Sequence, residues 1–291
     1  MAPRVWFITG CSTGFGRELA LQVLRRGDRV IATARKMSSL EELEAAGAKV
    51  LAVDVTAGLD ALKQIAATAH GFYGRIDILV NNAGYVASGS LEEMTPEESF
   101  AQFNTNVFGL LNVNRAFLPF LRAQRSGVIA NVSSIAAWTG SPGVGMYCAS
   151  KWAVSGISET MAHELAEFGI KVTCIEPGQF RSNIFTASNR SEPDATNVIP
   201  DYEGDTAARR GVRLMEDVNQ KQAGDVAKGC RVIIDVLTQS GSAEGREIPV
   251  RLALGADAYG WIKGKCEETI KLLDEWKDVT TPTNHDDVVA V

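Results

Sequence analysis

The sequence predicts an α/β fold: a doubly wound, mostly parallel sheet (a Rossmann fold) with helices on both faces, formed as a single domain over residues 1–291. Three observations carry this. Short β-branched runs alternate with longer helical patterns from the start; the strand candidates are almost continuously apolar, as strands covered on both faces must be; and a glycine-rich turn joins the first strand to the first helix. In chain order, Val5 to Thr9 reads as a buried strand and Gly14 to Arg26 as a helix. Strands follow at Arg29 to Ala34 and Lys49 to Val53, a helix at Ala57 to Tyr73, and a fourth strand at Asp77 to Val80. One long helix from about Pro96 to Arg125 precedes a fifth strand at Val128 to Val132. Another, from about Tyr147 to Phe168, precedes a sixth at Lys171 to Ile175. Right-handed crossovers then place the helices on both faces.

The pattern weakens over residues 182–222, which include SNRSEPDATNVIPDYEGDT, rich in Ser, Asn, Asp, Pro and Gly. A stretch this long and irregular inside a compact domain reads as a substrate lid that orders over its ligand. A helix at Asp225 to Leu237, an apolar run at Ile248 to Leu254 and a helix at about Ala256 to Asp278 complete the chain, and 279–291 reads as a loose tail.

Composition narrows the function classes. Apolar residues make up 45% and charged residues 22%, enough for a well-filled core. A net charge of -6 shows no basic excess, so no nucleic-acid or anionic-membrane partner is expected. Cys11, Cys148, Cys174, Cys230 and Cys266 are odd in number and stand in no metal-ligand spacing, so they read as reduced thiols. The amino end lacks an apolar signal core, and no run reaches the roughly 18 apolar residues of a membrane span. A cytoplasmic, metal-free protein acting on a small molecule is the expectation.

Chemistry concentrates in three places. Thr9-Gly10-Cys11-Ser12-Thr13-Gly14-Phe15-Gly16 ends the first strand and opens a helix; such glycines let the backbone approach a pyrophosphate, which then rests on helix N-terminal amides. The second strand ends in Thr33-Ala34-Arg35-Lys36 with no carboxylate to receive a ribose hydroxyl, and Arg35 can grip the additional phosphate of NADP; NADP(H) is therefore favoured over NAD(H). Tyr147 and Lys151 lie four residues apart on one helix face. A free phenol, with a pKa near ~10, is a poor base, and a fixed ammonium beside it lowers that value. The pair can then move the proton that accompanies hydride transfer.

TGCSTGFG, Asn81-Asn82-Ala83-Gly84, Asn106, Ser133-Ser134, Tyr147-Cys148-Ala149-Ser150-Lys151 and Pro177-Gly178 occur in this order and spacing, and the chain resembles the single-domain short-chain dehydrogenase/reductases from about Val5 to Ser182. The resemblance implies a complete tetrad. Ser134, rather than Ser133, would hold the substrate oxygen, and Tyr147 would give or take the proton. Lys151 would lower the Tyr147 pKa and bind the nicotinamide ribose, and Asn106 would support a proton-relay water. It also implies cofactor contacts at Gly10, Ser12, Thr13, Phe15 and Gly16, at Asp54 and Val55, at Asn82, Ala83 and Gly84, and at Pro177, Gly178 and Ser182. Two departures stand out: Ser182 where the family often has Thr, and Thr13 where some NADP-preferring members carry a basic residue, so the cofactor preference rests mainly on Arg35.

By the same resemblance, the loops after the fourth, fifth and sixth strands build the substrate pocket, with Tyr85, Trp138, Met146, Phe180 and Phe185 as wall candidates. That wall is apolar and aromatic without a basic clamp, which points to a neutral, hydrophobic ketone or secondary alcohol. A homo-oligomer, dimer or tetramer, through the two long helices is also implied. The same scaffold could instead bind a dinucleotide without redox turnover, as a sensor, partner subunit, isomerase or cyclase; net NADPH consumption separates these.

Overall fold

The computed structural model describes residues 2–186, 189–191 and 197–285; residues 187–188 and 192–196 of the expected lid and 286–291 of the expected tail lie outside the described residues. Strand β1 (Val5–Ile8) explains its own unbroken apolar run, because its side chains alternate between two covered faces. Trp6 and Ile8 join Leu19, Val23 and Ile233 in one apolar cluster, whereas Val5 and Phe7 join Leu62, Phe117 and Ile129 in another. Burying side chains of this size stabilises the fold by about 1.5–3 kcal/mol each. Neither face of the strand tolerates a polar position.

The chain continues through α1 (Gly14–Arg25), β2 (Arg29–Ala34), α2 (Glu41–Ala45), β3 (Lys49–Ala52), α3 (Leu59–Tyr73) and β4 (Ile78–Asn81). Next come β5 (Val86–Ala87), α4 (Pro96–Phe103), α5 (Leu110–Gln124), β6 (Gly127–Val132), α6 (Gly145–Leu165) and β7 (Ile170–Pro177). The last part holds β8 (Arg190–Ser191), α7 (Ala207–Val218), α8 (Val226–Thr238), β9 (Arg251–Leu254) and α9 (Ala256–Thr280). Seven strands form one parallel sheet in the order β3-β2-β1-β4-β6-β7-β9. Strand order therefore reverses between β1 and β4, and the loops leaving their carboxyl ends diverge into a crevice. No helix among the described residues is long and apolar enough to cross a membrane.

Three elements differ from the sequence expectation. The helix expected over Pro96 to Arg125 is two helices joined by a π-helical turn at Asn104–Gly109. Its start is fixed by a capping box, with Glu98 N–H donating to Thr95 Oγ1 and Thr95 N–H to the Glu98 carboxylate. The 182–222 stretch is not irregular throughout: it contains α7, and β8 pairs with β5 as a short parallel ribbon. Mid-helix Gly211 hides α7 from a propensity reading, yet glycine is needed there, since a Cβ would stand 2.0 Å from Pro142 O. Gly143 (φ +78°) meets the same helix from the other side, its missing Cβ falling 2.7 Å from Ala208 O. The expected loose tail begins later than residue 279, because α9 runs to Thr280.

Candidate active site

The glycine loop after β1 and the loop after β4 are built as one unit. Thr9 Oγ1 accepts from the N–H groups of Asn82 and Ala83 at 2.9 and 3.0 Å, and Asn82 Nδ2 donates to Thr9 O and Gly10 O at 2.9 and 3.0 Å. Gly10 (φ +71°) turns the chain there, and a Cβ on it would stand 2.9 Å from Ala83 Cα. Gly16 is buried beneath the loop, where a Cβ would stand 2.4 Å from Gly10 O. The N-cap residue of α1, Thr13, makes no side-chain cap bond, so the first-turn amides of the helix stay available to an anionic group.

These loops border a cavity of about 840 Å³ at the carboxyl edge of the sheet. Ser12, Thr13 and Phe15 line it near α1, and Arg35, Asp54 and Val55 line the end beyond β2 and β3. Arg35 is exposed and has no hydrogen-bond or ion-pair partner among the described residues. Asp54 accepts from Thr56 N–H and Oγ1 at 2.9 and 2.7 Å, which fixes its carboxylate at the turn. Gly84, Tyr85, Ser134, Tyr147, Lys151, Pro177, Gly178 and Ser182 line the remainder of the same cavity.

The two adjacent serines after β6 make different contacts. Ser133 is buried, donating to Lys151 O at 2.9 Å and sharing a hydrogen bond with Ser155 Oγ at 3.0 Å. Ser134 lies on the cavity wall with Tyr147 and accepts from Ala136 N–H at 3.1 Å. Burial pushes the Tyr147 phenol up to about 12, with the Ser134 hydrogen bond pulling the other way. Burial likewise brings the Lys151 ammonium down to about 8, and its Nζ donates to Val132 O at 2.8 Å. Lys151 Nζ stands 5.6 Å from the Tyr147 ring centroid.

Asn106 reaches the site through the π turn, a feature that recurs at functional positions. Its Oδ1 accepts from Tyr85 N–H at 3.1 Å, and its Nδ2 donates to Tyr85 O at 3.0 Å and Ser150 Oγ at 3.1 Å. Asn106 and Lys151 converge on Gly84, where a Cβ would stand 3.1 Å from Asn106 Oδ1 and 3.8 Å from Lys151 Nζ. Asn106 itself is buried and lies behind the wall rather than on it.

The family model for short chain dehydrogenases matches residues 4–193 of the chain, the stretch that holds every one of these groups. The chain belongs to the short-chain dehydrogenase/reductase family. As an oxidoreductase of this family it is similar over nearly its whole length to oxidoreductase BOA17 of Botryotinia fuckeliana, at 36% identity over 95% of this chain and 98% of that one. It is 41% identical to the 3-ketodihydrosphingosine reductase of Bacteroides thetaiotaomicron over 69% of this chain and 72% of that one. A short-chain dehydrogenase from Streptomyces avermitilis superposes with a TM-score of 0.85 at 36% identity, covering 98% of this chain and all (100%) of that one. A metagenomic short-chain oxidoreductase solved in complex with NADP matches with a TM-score of 0.57 at 34% identity, covering 61% and 83%.

Within this short-chain dehydrogenase/reductase, the expected substrate wall is only partly where the sequence put it. Tyr85 and Phe185 line the cavity. Phe180 lines it too, but is largely buried in the cluster between α1 and α8, edge-on to Phe15 at 5.1 Å. Trp138 and Met146 do not line it. Trp138 turns inward, its Nε1 donating to Glu176 Oε2 at 2.9 Å with the Arg251 guanidinium 4.0 Å over its ring. Leu214, Met215 and Val218 of α7, Ile184, Gln222 and Trp261 of α9 supply wall that sequence reasoning missed. The signal was present in the spacing of Leu214, Met215 and Val218, which places them on one face of a helix.

Proposed function

We propose that the chain moves a hydride between NADP(H) and a neutral, hydrophobic ketone or secondary alcohol, with Tyr147 as proton donor in reduction and acceptor in oxidation. The observation that carries this reading is the convergence of Ser134, Tyr147 and Lys151 on one wall of the cavity, beside the glycine loop. When bound, the dinucleotide supplies or receives the hydride. Ser134 Oγ holds the substrate oxygen, and Tyr147 Oη gives its proton to that oxygen as negative charge develops there. Lys151 stays mostly protonated at pH 7 and holds the nicotinamide ribose, while Asn106 fixes the Tyr85 backbone and supports the proton path beside Lys151.

Unpaired Arg35 at one end of the cavity supports a 2′-phosphate and hence NADP over NAD. The apolar contribution of α7 and Trp261 supports a hydrophobic substrate, as does likeness to a relative named for 3-ketodihydrosphingosine reduction. In this reading the chain is one domain with residues 182–222 as its substrate lid. Exposed Phe100, Phe108 and Trp152, on α4, the π turn and α6, support a homo-oligomer through those helices.

NADPH absorbance with a panel of hydrophobic ketones, repeated with NADH, tests the reading. Tyr147→Phe should lower turnover by about 10³-fold, within the range for a lost general acid, while NADPH still binds. Unchanged turnover in that variant sinks the acid/base assignment. A preference for small anionic ketoacids over every neutral ketone sinks the substrate class.

A further inference from the structure

Helix α9 packs on the rest of the chain only at its start. Ala258 is buried and Ile262 and Lys265 are half-buried, but every residue from Cys266 to Thr280 is exposed. That free arm is about 22 Å long. Its two sides differ. Glu267, Glu268, Lys271, Asp274, Glu275 and Asp278 recur at helical spacing and form a polar side. Cys266, Thr269, Ile270, Leu273 and Trp276 run along the opposite side, with Leu272 and Val279 next to them. Ile270, Leu272, Leu273, Trp276 and Val279 are 59%, 55%, 66%, 49% and 67% exposed. A lone helix of this length is marginal in water, and a contiguous apolar side on it marks a contact surface.

We propose that the free arm of α9 pairs antiparallel with the same arm of a second copy, about a twofold axis at Lys271. The order of side-chain sizes supports this occupant. Reflected about Lys271, Cys266 corresponds to Trp276, Thr269 to Leu273 and Ile262 to Thr280, a small residue against a large one each time. An antiparallel second copy thus sets large into small at each layer, and the symmetry repeats every contact. A parallel pair would stack Trp276 on Trp276 and leave Cys266 facing Cys266. The charges agree. Lys263 and Lys265 are already paired with Glu267 and Glu268 of their own helix at 3.7 and 2.9 Å, so they bring no bare cation to the contact. The polar side, with five acids and one lysine, opposes an anionic lipid surface. Covering five apolar side chains of each copy, on the order of 100 Å² apiece, removes about 1,000 Å², where stable interfaces begin. The pairing does not depend on the reaction proposed above, nor on association through α4 and α6.

Light scattering from the full chain tests it. Leu273→Lys/Trp276→Lys should halve the particle mass: dimer to monomer, or tetramer to dimer where α4 and α6 also associate. A second variant reads the geometry and leaves those two side chains in place. Leu272→Cys in a Cys266→Ser background brings the two introduced thiols within about 3 Å along the axis, so a short bismaleimide should link the copies. Wild type should not be linked: its other four cysteines are buried, and paired Cys266 thiols lie about 15 Å apart along the axis. A monomeric wild type, an unchanged mass in the double lysine variant, or linkage of wild type through Cys266 overturns the proposal. So does flotation of wild type with phosphatidylcholine or phosphatidylglycerol vesicles that the double lysine variant loses, which would give this face to lipid.

Discussion

Glu176 and Glu93 are both 1% exposed and both meet an arginine, but they draw their other partners from different parts of the chain. Glu176, in β7, accepts from Ser155 Oγ of α6 at 2.9 Å, from Trp138 Nε1 at 2.9 Å and from Arg251 Nε of β9 at 3.0 Å. Arg251 extends the network to Glu159 at 3.1 Å, and Ser155 passes it on to Ser133, which holds Lys151 O. All of these residues belong to the frame around Ser134, Tyr147 and Lys151. Glu93 follows β5 and accepts from its neighbour Ser90 Oγ at 2.7 Å. Its other partners are Ile199 N–H at 3.2 Å and Arg209 at 2.5 Å, both from the 182–222 stretch. One carboxylate ties the frame to itself; the other ties the 182–222 stretch, which lines one wall of the cavity, to the segment after β5.

Breaking the frame network should have the larger effect. Arg251→Met leaves Glu176 buried without its counter-charge and should lower global stability by about 3 kcal/mol, read as a lower urea midpoint, together with a fall in kcat. Arg209→Met removes one charged partner from Glu93, which keeps Ser90 and Ile199. About 2 kcal/mol of local contact should go. Limited proteolysis within 197–218 should quicken and KM rise while the global midpoint moves little. Equal falls in the global midpoint for the two variants would erase the distinction between frame and wall.

Acid should act on the wall through Glu93. Burial pushes the Glu93 carboxyl up, but hydrogen bonds from Ser90 and Ile199 N–H and the charge of Arg209 outweigh it and hold it below the usual carboxylate range. A lowered folded value means that its stabilisation is complete above the ordinary value near ~4.3 and is lost as pH falls through the folded one. Proteolysis of the wall, followed with an acid-active protease, should therefore accelerate below about pH 4, and Glu93→Gln should remove that step. A step of equal size in the Gln variant would assign it to another group.

The frame was legible because its constraints are written locally. Each buried strand needs an apolar run, and Gly10, Gly16 and Asn82 have no substitutes where backbone meets backbone. The four-residue spacing put Tyr147 and Lys151 on one helix face. Longer-range effects were not legible. A π turn leaves no mark on apolar periodicity, so the break at Asn104–Gly109 was invisible although it delivers Asn106. Glycine at 211 answers a contact with Pro142, which no local propensity records.

Trp138 marks the boundary between these cases and gives the smallest expected effect. An aromatic residue in the loop after β6 reads as substrate wall, yet its indole N–H is committed to Glu176 and its ring lies under Arg251. Trp138→Phe keeps an aromatic face for the guanidinium and removes one hydrogen bond to a charged carboxylate that retains Ser155 and Arg251. Stability should fall by about 1–2 kcal/mol, seen as a modest drop in urea midpoint, with KM for the best ketone unchanged. A KM shift without a change in midpoint would return Trp138 to the pocket wall and detach it from the frame. The expected pattern would make it the outermost residue through which Glu176 holds the loop of Ser134 in place.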